Sequence, residues 1–347
     1  MLSDLITSDD GVQRVLVAPL NWGLGHATRM IPLIDHCLSL GKEVAIASDG
    51  IALQLLEREY PQLKSYSLPG YNIRYSKQAT GTYIMLQSPK IALAARAEYL
   101  VTAKIVADFK PDLIVSDNRL GVRHPVTKSV IVTHQVAVIT PTRLLTPIAR
   151  SINRFMLNHF DSVWIMDHPD RRLTGQLSNP EGLKSVESLG VLTRLTRPAA
   201  PIDTVRQILV ILSGPEPQRT LLEEILLDVL PPLGYTFTLV RGTDTPLSPR
   251  SSQMSNLDLR DLVGTQTLNT LINTSDLVIT RTGYTSVMDL DSLDKQAILI
   301  PTPGQPEQEY LGKHLSDHPR FTMIDQSAVR KDLALRLEKL VRSRIND

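Results

Sequence analysis

The feature that most constrains the fold is an alternation of short apolar runs and amphipathic stretches, which occurs twice along the chain. The run Arg14–Leu20 predicts a buried strand, and Ala27–Leu40 places apolar residues at helical spacing. The same rhythm restarts at Gln207–Leu212, again followed by a helical pattern. Because strands that alternate with helices form parallel sheets with right-handed crossovers, the pattern predicts an α/β fold of two doubly wound domains.

The other predicted elements complete this rhythm. Further strands are predicted at Glu43–Ser48, Asp112–Ser116, Ser129–Thr133, Ser162–Met166, Thr236–Val240, Leu277–Thr280 and Ala297–Pro301. Further helices are predicted at Ile51–Tyr60, Ile91–Phe109, Gln218–Leu230, Gly283–Leu293 and Pro306–Leu315. A chain of 347 residues has room for two domains of roughly 150 residues each.

A segment without periodicity separates the two halves. Thr193–Asp203 is rich in Pro and Ala, which is typical of a domain linker. We therefore place an N-terminal domain at 1–195 and a C-terminal domain at 196–347. The last helix, at about 328–345, could cap either domain, so the sequence leaves open that it crosses back to the N-terminal one.

Composition excludes several classes of partner and site. The 37 Lys and Arg residues nearly balance the 36 Asp and Glu residues, and a net charge of +1 argues against a nucleic-acid partner. Cys37 is the one cysteine, so the chain has neither a disulfide framework nor a cysteine-based zinc site. No apolar run approaches the roughly 18 residues that span a bilayer, and the acidic N-terminus lacks the apolar core of a signal peptide. We therefore expect a cytoplasmic protein.

The loop after the first strand is the first candidate site, because doubly wound sheets bind ligands beyond the carboxyl ends of their strands. This loop contains Gly23 and Gly25, and glycines before a helix let backbone N–H groups approach an anion. His26 is placed to act as a general base, since imidazole titrates near neutral pH. Asp117, just past a predicted strand, is the carboxylate that we expect to orient it.

Other interpretations of these residues stay open at the level of sequence. The loop could be a structural turn. With Asp49 it could also form part of a dinucleotide site, although Thr28 stands where that fingerprint has its third glycine. Asp117 could cap an element or pair with Arg119 or Arg123 instead of the histidine.

A second candidate site lies after a strand of the second half. Arg281, Thr282 and Gly283 stand between that strand and a helix, where a helix N-terminus and a guanidinium together suit an anion. Asp289, farther along this helix, is placed to bind a vicinal diol such as that of a ribose. It could equally be a solvated surface residue.

The loop after the next strand is rich in amides and carboxylates. Pro301–Tyr310 includes Gln308 and Glu309, which can pair with the donors and acceptors of sugar hydroxyls. A solvated loop of this composition is also common. The two domains are expected to face a shared cleft, into which both sets of loops would open.

These motifs resemble the GT-B glycosyltransferases related to MurG, which adds N-acetylglucosamine to a lipid-linked acceptor. The resemblance is carried by a strand followed by Trp-Gly-Leu-Gly-His, by Arg-Thr-Gly-x-Thr-x-x-x-Asp, and by Pro-Thr-Pro-Gly-Gln-x-Glu-Gln-Glu-Tyr. It covers most of the chain and is nearest to a predicted bacterial branch of the family. It implies two Rossmann-like domains facing a cleft, with the acceptor on the N-terminal domain and the nucleotide sugar on the C-terminal one.

The resemblance also implies a reaction. A sugar, an N-acetylhexosamine or a hexose, would move from a nucleotide diphosphate, expected to be UDP, to an acceptor hydroxyl with inversion. No metal and no cofactor would be bound, and helix dipoles with Arg281 would carry the charge of the leaving diphosphate. His26 would deprotonate the acceptor, with Asp117 as its partner.

The remaining roles follow from matched positions. Arg281, Thr282 and Gly283 would contact the pyrophosphate, and Asp289 would take the ribose position, where the family usually has Glu. Gln308 and Glu309 would contact the donor sugar, although the family usually has Gln at both positions. The other nucleotide-site residues implied are Gly25, Ser213, Gly214 and Arg219, and the acceptor-site residues are Gly23, His134 and Gln135. Prolines beside Ser213 and Gly214 depart from the glycine-rich loop of the family, and Arg219 could supply the phosphate contact instead.

A basic stretch raises the question of a membrane contact. No Asp or Glu occurs from 118 to 160, which holds six Arg and Lys residues. Within it, Leu145, Ile148, Ile152, Phe155 and Met156 form one apolar helical face. Such a helix suits docking to anionic lipid on the inner face of a membrane, and it equally suits a core helix with a solvated basic side.

Competing functions keep the fold and change the chemistry. The chain could be a nucleotide-sugar epimerase or hydrolase, which needs no acceptor site. It could be a nucleotide-sugar-binding subunit without catalytic activity. A dinucleotide oxidoreductase is a more distant alternative.

Overall fold

In the computed structural model, the described residues are 2–71, 87–199, 207–214, 216–243 and 255–345. They divide into two compact units, with the change from the first to the second between Arg194 and Leu195. That division lies one residue from the boundary placed by sequence. Residues 200–203 of the predicted linker lie outside the described ranges.

The first unit is built on a seven-stranded sheet in which every neighbouring pair is parallel, in the order β3-β2-β1-β4-β5-β6-β7. Its strands are β1 (Arg14–Pro19), β2 (Glu43–Ser48), β3 (Lys64–Ser67), β4 (Leu113–Asp117), β5 (Lys128–Thr133), β6 (Ser162–Ile165) and β7 (Val186–Ser188). Its helices are α1 (Leu2–Leu5), α2 (Leu24–Ser39), α3 (Gly50–Glu59), α4 (Ser88–Phe109) and α5 (Thr146–Leu157). The edge strands β3 and β7 were not predicted.

Burial follows the sequence pattern in this unit. The five residues of β4 and the last five residues of β1 are buried, as expected of strands covered on both faces. Leu16 and Ile114 pack in one apolar cluster, which also includes Phe109 from α4. Trp164 and Cys37 are buried side chains.

The second unit contains a six-stranded sheet, also parallel throughout, in the order β10-β9-β8-β11-β12-β13. Its strands are β8 (Gln207–Ile211), β9 (Thr236–Val240), β10 (Leu257–Arg260), β11 (Leu277–Arg281), β12 (Ala297–Ile300) and β13 (Phe321–Met323). Its helices are α6 (Gln218–Val229), α7 (Thr265–Thr274), α8 (Tyr284–Ser292), α9 (Pro306–His314) and α10 (Val329–Ile345). The two sheets give the α/β fold of two Rossmann-like domains.

The last helix, α10, packs on the core of the second unit. Val329, Leu333 and Leu337 are fully buried, and they share an apolar cluster with Ile208 and Phe237 of that sheet. The described part of α10 therefore caps the C-terminal unit, one of the two placements that the sequence left open.

Helix α5 corrects one interpretation of the sequence. A core helix would bury the apolar face that contains Ile148, Ile152 and Phe155, but these side chains are 58%, 60% and 65% exposed. Leu157 is the buried residue that the structure describes in this helix. The interpretation of α5 as an ordinary core helix is therefore wrong. Within the described ranges, no helix has the length and apolarity to cross a bilayer.

The strand orders place one switch point in each sheet, where chain connections turn to opposite sides. In the first sheet it lies between β1 and β4, where Pro19 is paired with Asp117. In the second sheet it lies between β8 and β11, where Ile211 is paired with Thr280. The carboxyl ends at these two points are where ligands of such sheets bind.

Candidate functional site

The loop between β1 and α2 turns at Gly23, whose φ of 87° lies in the left-handed region that favours glycine. Helix α2 begins at Leu24, three residues before the predicted start, so Gly25 and His26 belong to its first turn. Asp117 is the last residue of β4 rather than a residue beyond it. The loop and the strand end therefore bring His26 and Asp117 to the same switch point.

His26 and Asp117 are in direct contact. The Nδ1 atom of His26 lies 3.0 Å from Oδ2 of Asp117, and the carboxylate is fully buried while the histidine side chain is 14% exposed. Asp117 does not pair with Arg119 or Arg123, which corrects that alternative from the sequence. Arg119 forms ion pairs with Asp49 and Glu98 instead.

Arg29, which the sequence analysis did not select, completes the cluster. Its Nε donates to Oδ2 of Asp117 at 2.9 Å, and its Nη2 is bonded to Oδ1 of the same carboxylate. The same Nη2 lies 2.8 Å from Nδ1 of His26. A signal was available, because residues three apart on a helix share a face. Arg29 was missed because the helix was predicted to start after His26.

The cluster favours an ionised carboxylate and a neutral imidazole. Burial alone would raise the pKa of Asp117, but the charge of Arg29 and the contact with His26 hold it at about 2. Burial and the charge of Arg29 lower the pKa of His26, and Asp117 opposes them only in part. Nδ1 of His26 faces both an acceptor, Asp117, and a donor, Nη2 of Arg29. In the tautomer in which Nδ1–H donates to Asp117, the Nε2 atom keeps its lone pair and can accept a proton.

His134 and Gln135 follow β5, the next strand of the sheet. His134 is buried, and its Nδ1 lies 3.5 Å from Nη1 of Arg29, so this predicted acceptor residue borders the cluster. Gln135 is half-buried, and its backbone N–H donates to Thr133 Oγ1 at 3.0 Å.

The contacts of the Asp49 carboxylate weaken the interpretation of the loop after β1 as part of a dinucleotide site. Its carboxylate forms an ion pair with Arg119 and accepts a hydrogen bond of 3.0 Å from Nδ2 of Asn21. A ribose-binding carboxylate needs its oxygens for hydroxyl groups. In this unit the candidate chemistry therefore belongs to His26, Asp117 and Arg29.

In the second unit, Arg281 ends β11 and is 1% exposed. Its Nη2 donates to the carbonyl oxygen of Gln218 at 2.7 Å, its Nη1 donates to that of Pro301 at 3.4 Å, and its Nε has no hydrogen-bond partner in the part of the chain that the structure describes. Within the described ranges no carboxylate forms an ion pair with Arg281. Burial lowers its pKa to about 10, so the side chain is still a cation at neutral pH.

Polar groups next to Arg281 are also suited to an anion. Thr282 is fully buried, and its Oγ1 has no hydrogen-bond partner among the described residues. Gly283 is the N-cap of α8, so the first backbone N–H groups of this helix begin beside Arg281. Asp289 lies farther along α8 and is half-buried.

The loop after β8 differs from the one after β11. Ser213 is half-buried, and Gly214 is exposed with a φ of 100°, while Pro215 lies outside the described residues. Arg219 is buried and pairs with Glu216 at 2.6 Å and with Glu223 at 2.8 Å. Its charge is therefore balanced by carboxylates, which weighs against the predicted phosphate contact.

The loop after β12 orients the two predicted sugar-binding residues. The Oε1 atom of Gln308 accepts a hydrogen bond of 2.9 Å from the backbone N–H of Thr302. Oε1 of Glu309 accepts one of 2.8 Å from Gly304. Gln308 is buried and Glu309 is exposed. Since β8, β11 and β12 are neighbours, their loops open at one edge of the sheet.

Within the described residues no group of three His, Cys, Asp or Glu side chains is arranged to hold a metal ion. The structure brings His26, Asp117 and His134 together around Arg29 in the first unit. In the second unit it places Arg281, Thr282 and Gly283 between the end of β11 and the start of α8. The facing of the two units across a cleft stays a prediction.

Comparisons with known proteins concern the family and the fold. Residues 232–346 match the family model of the glycosyltransferase family 28 C-terminal domain. A protein of Methanosarcina mazei described as an uncharacterized glycosyltransferase is 23% identical over 321 residues, which cover 85% of this chain and 81% of that protein.

Solved structures share the fold. The spinosyn rhamnosyltransferase SpnG in complex with thymidine diphosphate has a TM-score of 0.66 and 15% identity, covering 94% of this chain and 92% of that one. MurG of Acinetobacter baumannii has a TM-score of 0.57 and 13% identity, covering 95% of this chain and 90% of that one. Residues 232–346 are therefore similar to a family 28 glycosyltransferase domain, and the chain as a whole shares the fold of these glycosyltransferases.

Proposed function

We propose that the protein transfers a sugar from a nucleoside diphosphate, UDP in the first instance, to an acceptor hydroxyl with inversion at the anomeric carbon. The observation that carries the proposal is the contact of His26 with Asp117 at the switch point of the first sheet. The N-terminal unit binds the acceptor in this proposal, and the C-terminal unit binds the donor.

His26 acts as the general base. Its Nε2 takes the proton of the acceptor hydroxyl while the hydroxyl oxygen attacks the anomeric carbon. The bond from that carbon to the diphosphate oxygen breaks, and its electron pair leaves with the diphosphate. Asp117 fixes the tautomer through Nδ1 and stabilises the imidazolium that forms, because its own pKa keeps it ionised.

The leaving diphosphate is stabilised by Arg281 rather than by a metal ion. The described residues pair Arg281 with carbonyl oxygens and with no carboxylate, and a buried guanidinium in that state interacts strongly with an anion in a site of low dielectric constant. The N-terminus of α8 adds its partial positive charge, and Thr282 offers a hydroxyl that makes no hydrogen bond to the described residues.

Other donor contacts follow the predicted positions. Asp289 binds the ribose, and Gln308 and Glu309 bind the sugar, an N-acetylhexosamine or a hexose. Gln308 uses its Oε1 for Thr302, so its amide N–H groups are left to donate to sugar hydroxyls. A lipid-linked acceptor and membership of the MurG-like branch are part of this proposal, supported by the motifs given above.

The test measures donor binding and turnover separately. Nucleoside diphosphate sugars are screened by thermal shift, since a bound donor stabilises the folded state by mass action. Release of the nucleoside diphosphate is then followed with candidate acceptors for the unsubstituted protein and for His26→Gln. We expect the variant to keep the thermal shift and to lose about 10²- to 10⁴-fold in turnover, the usual contribution of a general base.

The outcomes separate the competing functions. Turnover by His26→Gln equal to that of the unsubstituted protein would remove this residue from the mechanism. An isomerised or hydrolysed sugar formed without acceptor would favour the epimerase or hydrolase. A donor that binds but never reacts with any acceptor would favour a binding subunit.

A further inference from the structure

Arg119 is a buried arginine of the first unit to which the proposed chemistry assigns no step. It follows the end of β4 by two residues, and its side chain is fully buried. Burial of a guanidinium is unfavourable unless its charge and its N–H groups are compensated. The bonds of Arg119 lead to helix α4 and to the carboxyl ends of the strands, which is the edge of the sheet where His26 lies.

One arm of contacts from Arg119 reaches the loop of residues 20–23 between β1 and α2, here called the β1–α2 loop. Nε of Arg119 donates to the carbonyl oxygen of Pro19 at 2.8 Å. Its Nη2 is paired with the carboxylate of Asp49, which accepts a hydrogen bond of 3.0 Å from Nδ2 of Asn21. Asn21 also lies close against the start of α3, because a Cβ at Gly50 would collide with its Nδ2 atom. This arm therefore fixes the beginning of the loop.

A second arm of contacts reaches the next residue of the β1–α2 loop. Nη1 of Arg119 donates to Oε1 of Glu98 at 2.7 Å, and the hydroxyl of Tyr71 donates to Oε2 of the same buried carboxylate at 2.8 Å. The ring of Tyr71 packs edge to face against Trp22, with 6.3 Å between the ring centroids. The two arms therefore end on consecutive residues, Asn21 and Trp22.

The far end of the β1–α2 loop is held by the same strand. Asp117, the last residue of β4, contacts His26 in the first turn of α2. Asn118 follows with a φ of 56°, in the left-handed region that Asn adopts more readily than most residues. With this turn between them, the side chains of Asp117 and Arg119 reach opposite ends of the loop. The end of β4 therefore holds the loop on both sides of Gly23.

We propose that Arg119 is a positioning residue that sets the conformation of the β1–α2 loop and thereby the place at which an acceptor meets His26. The second clause rests on the proposed function, in which the first unit binds the acceptor. Arg119 is too deeply buried to touch a substrate, so it acts through Asn21 and Trp22. A guanidinium suits this role because its planar fork of N–H donors bonds partners in several directions at fixed angles.

A role in charge balance and a role in positioning give different expectations for Arg119→Lys. A lysine keeps the charge that the two carboxylates need, but its ammonium does not reproduce the fork that joins the two arms. The matched control is Arg320→Lys in the second unit. Arg320 also pairs with two carboxylates, those of Asp291 and Asp294, each at 2.8 Å. Thermal unfolding of each variant establishes that it is folded.

The first measurement needs no substrate. The chain has two tryptophans, so Trp164→Phe leaves Trp22 as the fluorescent reporter of the loop. Nε1 of Trp164 has no hydrogen-bond partner among the described residues, so this background change breaks no described bond. Arg119→Lys should shift the emission of Trp22 to longer wavelength and increase its quenching by acrylamide, because the indole loses its fixed contact with Tyr71. Arg320→Lys should change neither property.

The second measurement separates acceptor from donor. Arg119→Lys should lower kcat/KM for the acceptor by about 10²-fold, since a misplacement of about 1 Å can cost that much in rate. The affinity for UDP, measured by titration calorimetry, should be unchanged, because the proposed donor contacts belong to the second unit. Arg320→Lys should keep the kcat/KM of the unsubstituted protein.

A second pair of variants applies if Arg119→Lys does not fold. Asp49→Asn loosens the arm to Asn21 and leaves the Glu98 pair in place, so it should move the emission of Trp22 in the same direction. Its control is Asp294→Asn, which changes a carboxylate that also pairs with an arginine.

Three results would overturn the proposal: unchanged emission and quenching of Trp22 in the folded variant, an equal change in the control, or an unchanged kcat/KM for the acceptor. The fluorescence measurement uses no sugar nucleotide. A loop that responds to Arg119→Lys in a protein without sugar transfer would therefore contradict the proposed function and leave the positioning of the loop by Arg119 in place.

Discussion

The switch points of the two sheets hold arginines in opposite electrostatic settings. In the first unit, Arg29 is bonded to the buried carboxylate of Asp117, and the pair surrounds a neutral histidine. In the second unit, Arg281 is just as buried but donates to carbonyl oxygens and forms no ion pair within the described ranges. Arg29 lies on the helix that follows β1, whereas Arg281 is the last residue of β11, so two arginines near corresponding sheet edges differ in how their charge is compensated.

The two arginines are expected to differ in the free energy that their burial costs. Burying a charge is unfavourable unless a partner compensates for the lost hydration. Asp117 supplies that partner for Arg29, whereas carbonyl dipoles offset the cost for Arg281 only in part. The burial of Arg281 with only partial compensation of its charge is explained if a negatively charged ligand binds to it. Stability measurements on the free protein can therefore test the comparison directly.

The largest expected effect is a contrast in stability between Asp117→Asn and Arg281→Met. Asp117→Asn leaves Arg29 buried without an opposing charge, and breaking such a pair costs about 3–5 kcal/mol. Arg281→Met removes a buried cation that has no carboxylate partner among the described residues, so the free energy of unfolding should stay the same or rise. Urea unfolding of both variants, without ligand, measures the difference.

A control separates this charge effect from general disturbance of the site. His26→Gln removes the imidazole but leaves the Arg29–Asp117 pair, and it should cost much less than Asp117→Asn. The comparison fails if Arg281→Met loses as much stability as Asp117→Asn. That result would mean that Arg281 serves the fold of the empty protein.

The second effect concerns anion binding. Arg281→Gln should weaken the binding of UDP or inorganic pyrophosphate roughly 10- to 100-fold, since hydrogen bonds to charged groups contribute about 1.5–3 kcal/mol. Arg219→Gln is the matched control, because Arg219 is already neutralised by Glu216 and Glu223. Calorimetric titration should show little change in affinity for that variant. An equal loss of affinity in both would show that pairing does not distinguish the two arginines.

The sequence predicted the central strands and missed those at the edges, for a physical reason. The central strands are covered by helices on both faces, so they appear as continuous apolar runs. The edge strand Lys64–Ser67 has the sequence Lys-Ser-Tyr-Ser, which contains no apolar run, and β13 has three residues. Edge strands are recognised by their pairing with a neighbour, which a single sequence does not display.

The sequence also predicted some residues of the candidate site and missed the contacts of others. His26 and Asp117 were predicted as site residues because they follow predicted strands, and the carboxyl ends of parallel strands lie at one edge of the sheet. The sequence treated Arg219 and Arg281 alike, although the spacing of Arg219 and Glu223 already indicated an ion pair within a helix. The apolar stripe of α5 was also found, but periodicity reports which residues share a face and not what covers that face.

The smallest expected effect sharpens the role of Arg29. His26 must be neutral to accept a proton, so kcat/KM should fall as the pH drops through its pKa, which burial and Arg29 hold below 6.5. Arg29→Gln removes the opposing charge and leaves Asp117 to stabilise the imidazolium. The pKa of His26 then rises, and the acid limb of the profile moves to higher pH. Arg29→Lys keeps the charge, so its limb should stay nearer that of the unsubstituted protein. If Arg29 only supported the fold, Arg29→Gln would lower the rate at every pH without moving the limb.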